Sequence, residues 1–564
     1  MVLFTRMKLP FEWSFYWYHF LYYIVTTFIT SLIMFGIERG KLTWLDCWYT
    51  TVSAQTVTGL GVIDFPSTRV ATKVICGLLI SMGGQVAFAL VPLFLRRWHY
   101  QWVHRDLHTG TIWLDILYCC RPNLKLSHEN NEGRMIYRAT TLLIKVIIIY
   151  ALVFNILSVV FLVSYASTSS KVKSKLEDLN VTSYSFALFT TVSAFNNAGF
   201  SVFSNSLVPF RDDPLVLFVA MVLIVAGNTA FPILLRTTFI LLYRWWKPDD
   251  VAWKSLIENP RAYTTHMFSH NETWILFLVF LGTNIFQFVL YSSVPYSVPL
   301  DVKQKVLDML FTTISTRTAG FNVVRLDDLN PGILVCQMLF MYLASYPIIV
   351  AVQSTSVEDE FDVVSTKRSI RKTSKGTVEE MKKTLSSDII WLAAVTAIIG
   401  FDKYIQLETL FRLIWEVVSA YGTVGTSLSL PTNVSSFSSG FSSYAKLATI
   451  AVMIVGRHRS VPRNIDAAVD SIVNAEDVYA TKRKALRLSQ LEMVDHAHTI
   501  GHCTNLRPNM DIDNLFFDDD SSLEVSFHHT ERPTMPVGTE LNNSEGHKGI
   551  EESQTGQCET IQLV

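Results

Sequence analysis

Residues 190–202 read TTVSAFNNAGFSV, and a close copy of this stretch returns three times along the chain. It returns as TTVSAQTVTGLGV over 50–62, as TTISTRTAGFNV over 312–323 and as EVVSAYGTVGTSL over 416–428. In three copies a serine stands six residues before a glycine: Ser53 and Gly59, Ser193 and Gly199, Ser419 and Gly425. The third copy, from Ser315 to Gly320, is one residue shorter. Repetition of this kind decides architecture before any single motif does.

Each copy lies between two apolar stretches. A helix that crosses a bilayer needs about 20 mostly apolar residues, because the hydrocarbon core is about 30 Å thick and each residue rises about 1.5 Å. Residues 12–36, 70–95, 141–163, 214–243, 273–293 and 331–353 meet that length, and 387–405 and 441–456 are two shorter candidates. Eight spans are expected, the first an uncleaved span rather than a removable signal peptide. The segments 44–61, 183–201, 304–321 and 408–427 hold the four copies and are too short and too polar to cross alone. Irregular backbone at membrane depth survives only where protein buries it or water reaches it. Each segment is therefore expected to be a re-entrant loop.

The expected fold is an all-α integral membrane protein of four membrane–pore-loop–membrane repeats around a single pore. The repeats fall at 1–96, 138–243, 271–353 and 387–464. Between them lie cytosolic loops at 97–137, 244–270 and 354–386, and a largely disordered cytosolic tail follows at 465–564. Composition agrees. Of 564 residues 50% are hydrophobic and only 17% charged, which excludes a water-soluble enzyme of this size and a wholly disordered chain. Lys+Arg 47 against Asp+Glu 48 leaves a net charge of -1, so no global field points to nucleic acid. Seven cysteines without a C-x-x-C pair exclude a disulfide or zinc scaffold.

Basic residues in short loops mark the cytosolic side. Arg97, Arg105, Arg121, Lys125, Arg134 and Arg138 follow the second span, and Lys367, Arg368, Arg371, Lys372, Lys375, Lys382 and Lys383 follow the sixth. Both termini are expected in the cytosol, and the sequons at Asn180 and Asn433 face outward. Four loops meeting on one axis would line a narrow path with backbone carbonyls, the physical means of replacing a cation's hydration shell. Glycine suits each loop because the chain must bend without a Cβ and leave the axis open. The short helices before each glycine would aim negative C-terminal ends at the path.

The residues that carry this pattern resemble the Trk/HKT superfamily of potassium and sodium transporters, most closely its fungal Trk branch. The matching stretches are AFNNAGFSVFSNSLVPF with AGNTAFPILLR within Ala194–Arg236, and TRTAGFNVVRLDDLNP with MYLASYPI within Arg317–Ile348. SAYGTVGTS (Ser419–Ser427) and GRHRSVPRNIDAAV (Gly456–Val469) complete the set. The resemblance spans roughly residues 15–475 and implies a K⁺-channel-like arrangement of the four repeats in the plasma membrane. It implies a selectivity filter at Thr58–Gly59, Ala198–Gly199, Ala319–Gly320 and Val424–Gly425, whose carbonyls hold K⁺ without any cofactor. A serine replaces the first-loop glycine in the plant sodium-selective subgroup, so Gly59 groups this chain with the potassium-permeable pattern. The resemblance further implies a homodimer in which each subunit keeps its own pore, and an electrostatic barrier to cations at Arg457, with Arg459 beside it. Ser460 and Val461 depart from the fungal form of the last motif, and the stretch after the second span is short.

Potassium uptake driven by the membrane potential is the expected function. A K⁺–Na⁺ or K⁺–H⁺ symporter or a Na⁺ transporter on the same architecture is the alternative, and a receptor or scaffold that signals through its tail is a remote one. A kinase or regulatory protein is a candidate partner for the tail. No P-loop, G-x-S-x-G, H-E-x-x-H or dinucleotide fingerprint is present, so no enzyme chemistry is expected. Arg317 in the third loop is a candidate brace for Glu416 in the fourth. Lys145 and Lys446 carry no assigned role, and His458 is taken as structural or solvated.

Overall fold

The computed structural model describes residues 15–103, 131–246, 251–260, 263–264, 266–293, 302–343, 388–428 and 435–459. Every regular element among the described residues is helical. The first set is α1 (Phe15–Glu38), α2 (Trp44–Gln55), α3 (Val70–Gly83) and α4 (Gln85–Val103). Then come α5 (Asn131–Thr168), α6 (Ser170–Asp178), α7 (Ser183–Phe195), α8 (Pro214–Ile224), α9 (Phe231–Trp246) and α10 (Val251–Glu258). The third set is α11 (His270–Ser292), α12 (Val302–Thr316) and α13 (Pro331–Leu343). The last is α14 (Asp388–Gly400), α15 (Leu410–Gly422) and α16 (Ser443–His458).

Local chemistry sets where these helices begin. The hydroxyl of Thr43 accepts from Asp46 N–H at the start of α2, and Thr182 does the same for Ser185 at the start of α7. Such caps satisfy donors that the first turn leaves orphaned. Pro214 opens α8, where its missing N–H costs nothing. Ser269 and Glu272 form a reciprocal capping box on α11.

Three helices, within α1, α5 and α11, are long and apolar enough to cross a membrane. Their outer faces are greasy. Leu21, Ile29 and Leu32 on α1, Leu152, Ile156 and Leu157 on α5, and Ile275, Leu278 and Phe286 on α11 are all exposed. Apolar exposure on that scale needs a lipid solvent or a partner. The apolar windows 70–95 and 214–243 do not fold as single straight helices. The first is broken between α3 and α4 with a 60° bend, and the second turns by 90° between α8 and α9.

Both breaks have a cause. A Cβ on Gly83 would fall less than 3 Å from the carbonyl oxygen of Gln55, and a Cβ on Gly227 would meet that of Phe195 as closely. The missing side chains let α3 and the π-turn Val225–Thr229 close onto the C-terminal ends of α2 and α7. Carbonyls at the second break find other donors: Tyr150 O–H reaches Ala226 O at 2.7 Å, and Asn197 Nδ2 reaches Ile224 O at 3.0 Å. A kink with its carbonyls satisfied is a stable feature rather than a defect.

Packing between the sets runs in one cyclic order. Helix α3 packs on α7, α8 on α12, α13 on α15, and α16 returns to α2. Ionic contacts hold three of these seams. Lys446 on α16 pairs with Asp46 on α2 at 2.7 Å, and Arg412 on α15 pairs with Asp327 at 3.2 Å. Arg211 pairs with Asp308 on α12 through Nε at 2.8 Å, while Gln304 bridges Arg211 O at 2.8 Å and Asp308 Oδ1 at 3.1 Å.

The Asp308 side chain is 1% exposed, so removing one partner strands a buried charge. Breaking such a pair costs about 3–5 kcal/mol. Arg211→Ala, which leaves the buried Asp308 carboxylate without its guanidinium, is therefore expected to lower the thermal midpoint of the purified protein clearly. The same change should cost much less in an Asp308→Ala background, and equal costs in both backgrounds would remove the pair from the account.

Candidate functional site

The site begins at the C-termini of α2, α7, α12 and α15. In three of them the chain leaves the helix through the same pair of bonds. Thr58, Ala198 and Val424 N–H donate to Ser53, Ser193 and Ser419 O, at 2.8, 2.8 and 3.0 Å. The residue before each of them, Val57, Asn197 or Thr423, donates to Ala54, Ala194 or Ala420 O. This is the Schellman closure, with one residue in the left-handed region. Val57 at φ 58°, Asn197 at 60° and Thr423 at 51° take that place. The third copy solves the same problem with one residue fewer. Thr318, Ala319 and Gly320 N–H all converge on Ser315 O, at 3.3, 2.9 and 3.2 Å. In all four copies the backbone oxygen of the repeated serine therefore accepts from the residue just before the glycine.

The glycines themselves follow at φ 88°, 69°, 68° and 88° for Gly59, Gly199, Gly320 and Gly425. L-residues avoid this region, so glycine is required by the backbone alone. A second requirement comes from the neighbouring loop. A Cβ on Gly59 would fall less than 3 Å from Ala198 O, one on Gly199 from Ala319 O, one on Gly320 from Val424 O, and one on Gly425 from Thr58 O. The sequence expectation was that glycine keeps an axis clear. The structure adds that each absent side chain leaves room for the next loop's carbonyl.

Four loops far apart in sequence thus meet in a closed ring, ordered one, two, three, four. All eight expected positions belong to it: Thr58, Gly59, Ala198, Gly199, Ala319, Gly320, Val424 and Gly425. The ring borders a cavity of about 430 Å³ lined by all four glycines. Its wall is mostly neutral and polar, with Ser204, Asn205, Asn322 and Ser435, and it carries the charges of Asp64, Arg325 and Asp327. Among the described residues, no group of three His, Cys, Asp or Glu side chains is set to hold a metal ion.

Braces behind the ring differ from copy to copy. Thr318 Oγ1 donates to Asn197 Oδ1 at 2.8 Å, tying the third loop to the second. Trp415 Nε1 donates to Thr426 O at 3.1 Å, within the fourth. Glu416 is fully buried and accepts from Ser427 Oγ at 2.7 Å and from Ser438 N–H at 3.0 Å. It does not pair with Arg317. That guanidinium donates to Thr283 Oγ1 at 3.0 Å and lies 5.6 Å from the Phe280 ring centroid. Helix α11 therefore offers Arg317 a hydroxyl and an aromatic face, while α15 keeps its carboxylate for its own repeat.

Arg457 and Arg459 sit at the C-terminal end of α16. Arg457 is buried and donates through Nη2 to Gly83 O, the carbonyl at the bend between α3 and α4. Arg459 lies over the rings of Tyr421, at 4.7 Å, and Tyr342, at 5.7 Å. His458 is buried against His19 at 3.1 Å, a contact between the two ends of the described chain. Asn180 is exposed, whereas Asn433, Ser460, Val461 and residues 465–564 lie outside the described residues.

Sequence reasoning passed over the left-handed residues two places before three of the glycines, Val57, Asn197 and Thr423, and the glycines on the facing helices, Gly83, Gly227 and Gly456. Asn197 was the one visible signal, because Asn tolerates this region best. Thr423 is partly exposed. Thr423→Gly should raise the thermal midpoint, since a left-handed β-branched residue is strained by about 1–2 kcal/mol. Gly425→Ala should lower it by more, because strain and the collision with Thr58 O add. A Gly425→Ala protein as stable as the parent would contradict the ring.

A family model described as TrkH, cation transport protein, matches residues 121–474. Potassium transport protein 1 of Schizosaccharomyces pombe is 32% identical over 362 residues, covering 61% of this chain and 43% of the relative. The low-affinity potassium transport protein of Saccharomyces cerevisiae is 31% identical over 395 residues, covering 61% and 44%. The chain spans about half the length of the curated relatives it matches. The crystal structure of the potassium transporter TrkH from Vibrio parahaemolyticus aligns with 80% of this chain and 85% of its own, at 13% identity and a TM-score of 0.48. With its family model covering well over half of its length, this chain belongs to the TrkH family of cation transport proteins.

Proposed function

We propose that this protein takes up potassium across the plasma membrane through the glycine ring, with the membrane potential as driving force. The observation that carries the reading is the cyclic closure of Gly59, Gly199, Gly320 and Gly425 onto the carbonyls of Ala198, Ala319, Val424 and Thr58. Closely set carbonyls replace a hydration shell, and four helix ends each add about half a negative charge at the ring. An inward-negative potential supplies about 2.3 kcal/mol per charge per 100 mV. The relatives named as potassium transport proteins support K⁺ as the substrate.

In this reading eight spans enclose the ring in four repeats. The straight and bent helices supply two spans to each, and both termini lie in the cytosol. The 430 Å³ cavity is the outer vestibule. Arg457, tied to the α3–α4 bend by its bond to Gly83 O, stands on the cytosolic side of the ring as a fixed positive charge, an electrostatic barrier to cations. Two such chains form a homodimer, each with its own path. A regulatory protein or kinase acts on the tail.

Growth of a potassium-uptake-deficient yeast on micromolar K⁺ tests the reading. Expression of the full chain should restore growth. Gly59→Ser should keep some uptake and weaken the preference for K⁺ over Na⁺, since the added atoms push the first loop away from Ala198 O. Absence of rescue with the protein at the cell surface would overturn potassium uptake.

Arg457→Ala should raise inward current or weaken its rectification in voltage-clamped cells. Currents indistinguishable from the parent would leave Arg457 as a brace only.

A further inference from the structure

The ring is fourfold in its glycines but not in what holds its outer rim. The residue two places after each glycine forms that rim: Gly61, Ser201, Asn322 and Ser427. At Gly61 the connection following the fourth loop closes in. Gly61 N–H donates to Ser436 Oγ at 2.7 Å, and Ser436 returns its hydroxyl to Gly61 O at 2.5 Å and its own N–H to the same oxygen at 2.9 Å.

At Asn322 the connection following the second loop does the same. Asn322 N–H donates to Ser206 Oγ at 3.1 Å, and Leu207 N–H donates to Asn322 O at 3.1 Å. Ser206 is left-handed, at φ 54°, which sets its hydroxyl and the following N–H toward one partner. Ser201 and Ser427 behave differently. Among the described residues their hydroxyls bond within their own repeats, Ser201 to Ser206 O and Ser427 to Glu416. The one-to-two seam is joined there by Ser204 and Asp64 at 3.2 Å, and the three-to-four seam by Arg412 and Asp327 at 3.2 Å. Those contacts do not bond the amide or carbonyl of Ser201 or Ser427, and the carbonyls flanking Ser427, Thr426 O and Leu428 O, are held by Trp415 and Arg412 of the same repeat.

Resting on the transport reading above, we propose that Ser206 and Ser436 are positioning residues that determine ion specificity. Each clamps the backbone of a loop belonging to the next repeat. In the cyclic order the clamped loops, first and third, stand opposite one another. The two serines therefore fix the width of the ring along one diagonal. The second and fourth loops are tied to neighbouring repeats through side chains, Thr318 Oγ1 to Asn197 Oδ1 and Thr426 Oγ1 to Met341 Sδ, and without a backbone clamp at the rim they are the more compliant pair. A path whose width is pinned on one diagonal separates cations by size through that diagonal, whatever freedom remains on the other. Neither serine need touch the ion. Each acts through the amide and carbonyl two residues beyond a glycine, where a displacement is passed directly to the ring.

The test uses the full chain in potassium-uptake-deficient yeast, with rubidium as tracer and sodium as competitor, normalised to protein at the surface. Ser206→Ala, which loses one hydroxyl bond to the rim, and Ser436→Ala, which loses two, should each lower the sodium concentration for half-inhibition at least about fivefold, the worth of one lost hydrogen bond of ordinary strength. Ser436→Thr, which keeps the hydroxyl, should recover most of the loss, and Ser81→Ala, at an exposed serine of α3, should shift it less than twofold. Unchanged discrimination in both alanine variants, or an equal loss in Ser81→Ala, overturns the proposal. Amide exchange in the purified protein reads the clamp without transport. Gly61 should lose protection in Ser436→Ala, and Asn322 in Ser206→Ala. Absence of those changes overturns the clamp even if the parent transports, whereas a parent that carries no rubidium overturns the transport reading even if the amides respond.

Discussion

Each of the four glycines stands where its own missing side chain is replaced by the carbonyl of the next loop. Gly59 makes room for Ala198 O, Gly199 for Ala319 O, Gly320 for Val424 O and Gly425 for Thr58 O. The constraint is mutual, because every loop both yields space and fills it. Widening any one contact must move two neighbours, and that couples the four repeats more tightly than their helix packing alone. The surrounding helices follow from it. α2, α7, α12 and α15 end just short of the ring, and Gly83, Gly227 and Gly456 on facing elements let the ends of α2, α7 and α15 approach without a Cβ between them. The bends after Gly83 and at Val225–Thr229 are consequences of that approach.

Much of this was legible in the sequence. The fourfold stretch around Ser53, Ser193, Ser315 and Ser419 located the four loops, and the glycines after them fixed the ring. Long apolar windows located α1, α5 and α11 because period and length suffice to mark an all-apolar helix. The windows at 70–95 and 214–243 read as single spans because hydropathy is blind to direction. A residue-by-residue apolar count is the same for a straight helix and for one that turns by 90°. What turns the chain is a glycine facing a carbonyl from another element, and no local pattern records that neighbour. The pairing of Arg317 with Glu416 failed for a related reason. Opposite charges in adjacent loops suggested a bridge, yet the Arg317 guanidinium donates to Thr283 Oγ1 and lies against the Phe280 ring, both on α11.

The shorter third copy shows what the repeat actually conserves. Three copies use a left-handed residue to bring an N–H back to the serine oxygen five residues earlier, and the third reaches the equivalent oxygen after four. The deletion removes the strained residue and keeps the hydrogen bond. Placement of the residue before the glycine is therefore what the architecture requires, and the route to it is free to vary. Val57 and Thr423 tolerate an unfavourable backbone for that placement, which side chains built for local comfort would not adopt.

Charge is arranged by the same logic. The ion pairs of the described residues that bridge different sets of helices, Lys446 with Asp46, Arg211 with Asp308 and Arg412 with Asp327, lie on the seams between them. Glu416 is buried in α15, six residues before its end, and its carboxylate is engaged by Ser427 and Ser438. A fixed carboxylate among the carbonyls would bind a cation more tightly than passage allows, since conduction needs sites that an ion can also leave. Neutral oxygens in front and a carboxylate engaged behind satisfy both demands. The ion pairs between sets of helices stiffen the frame around the ring.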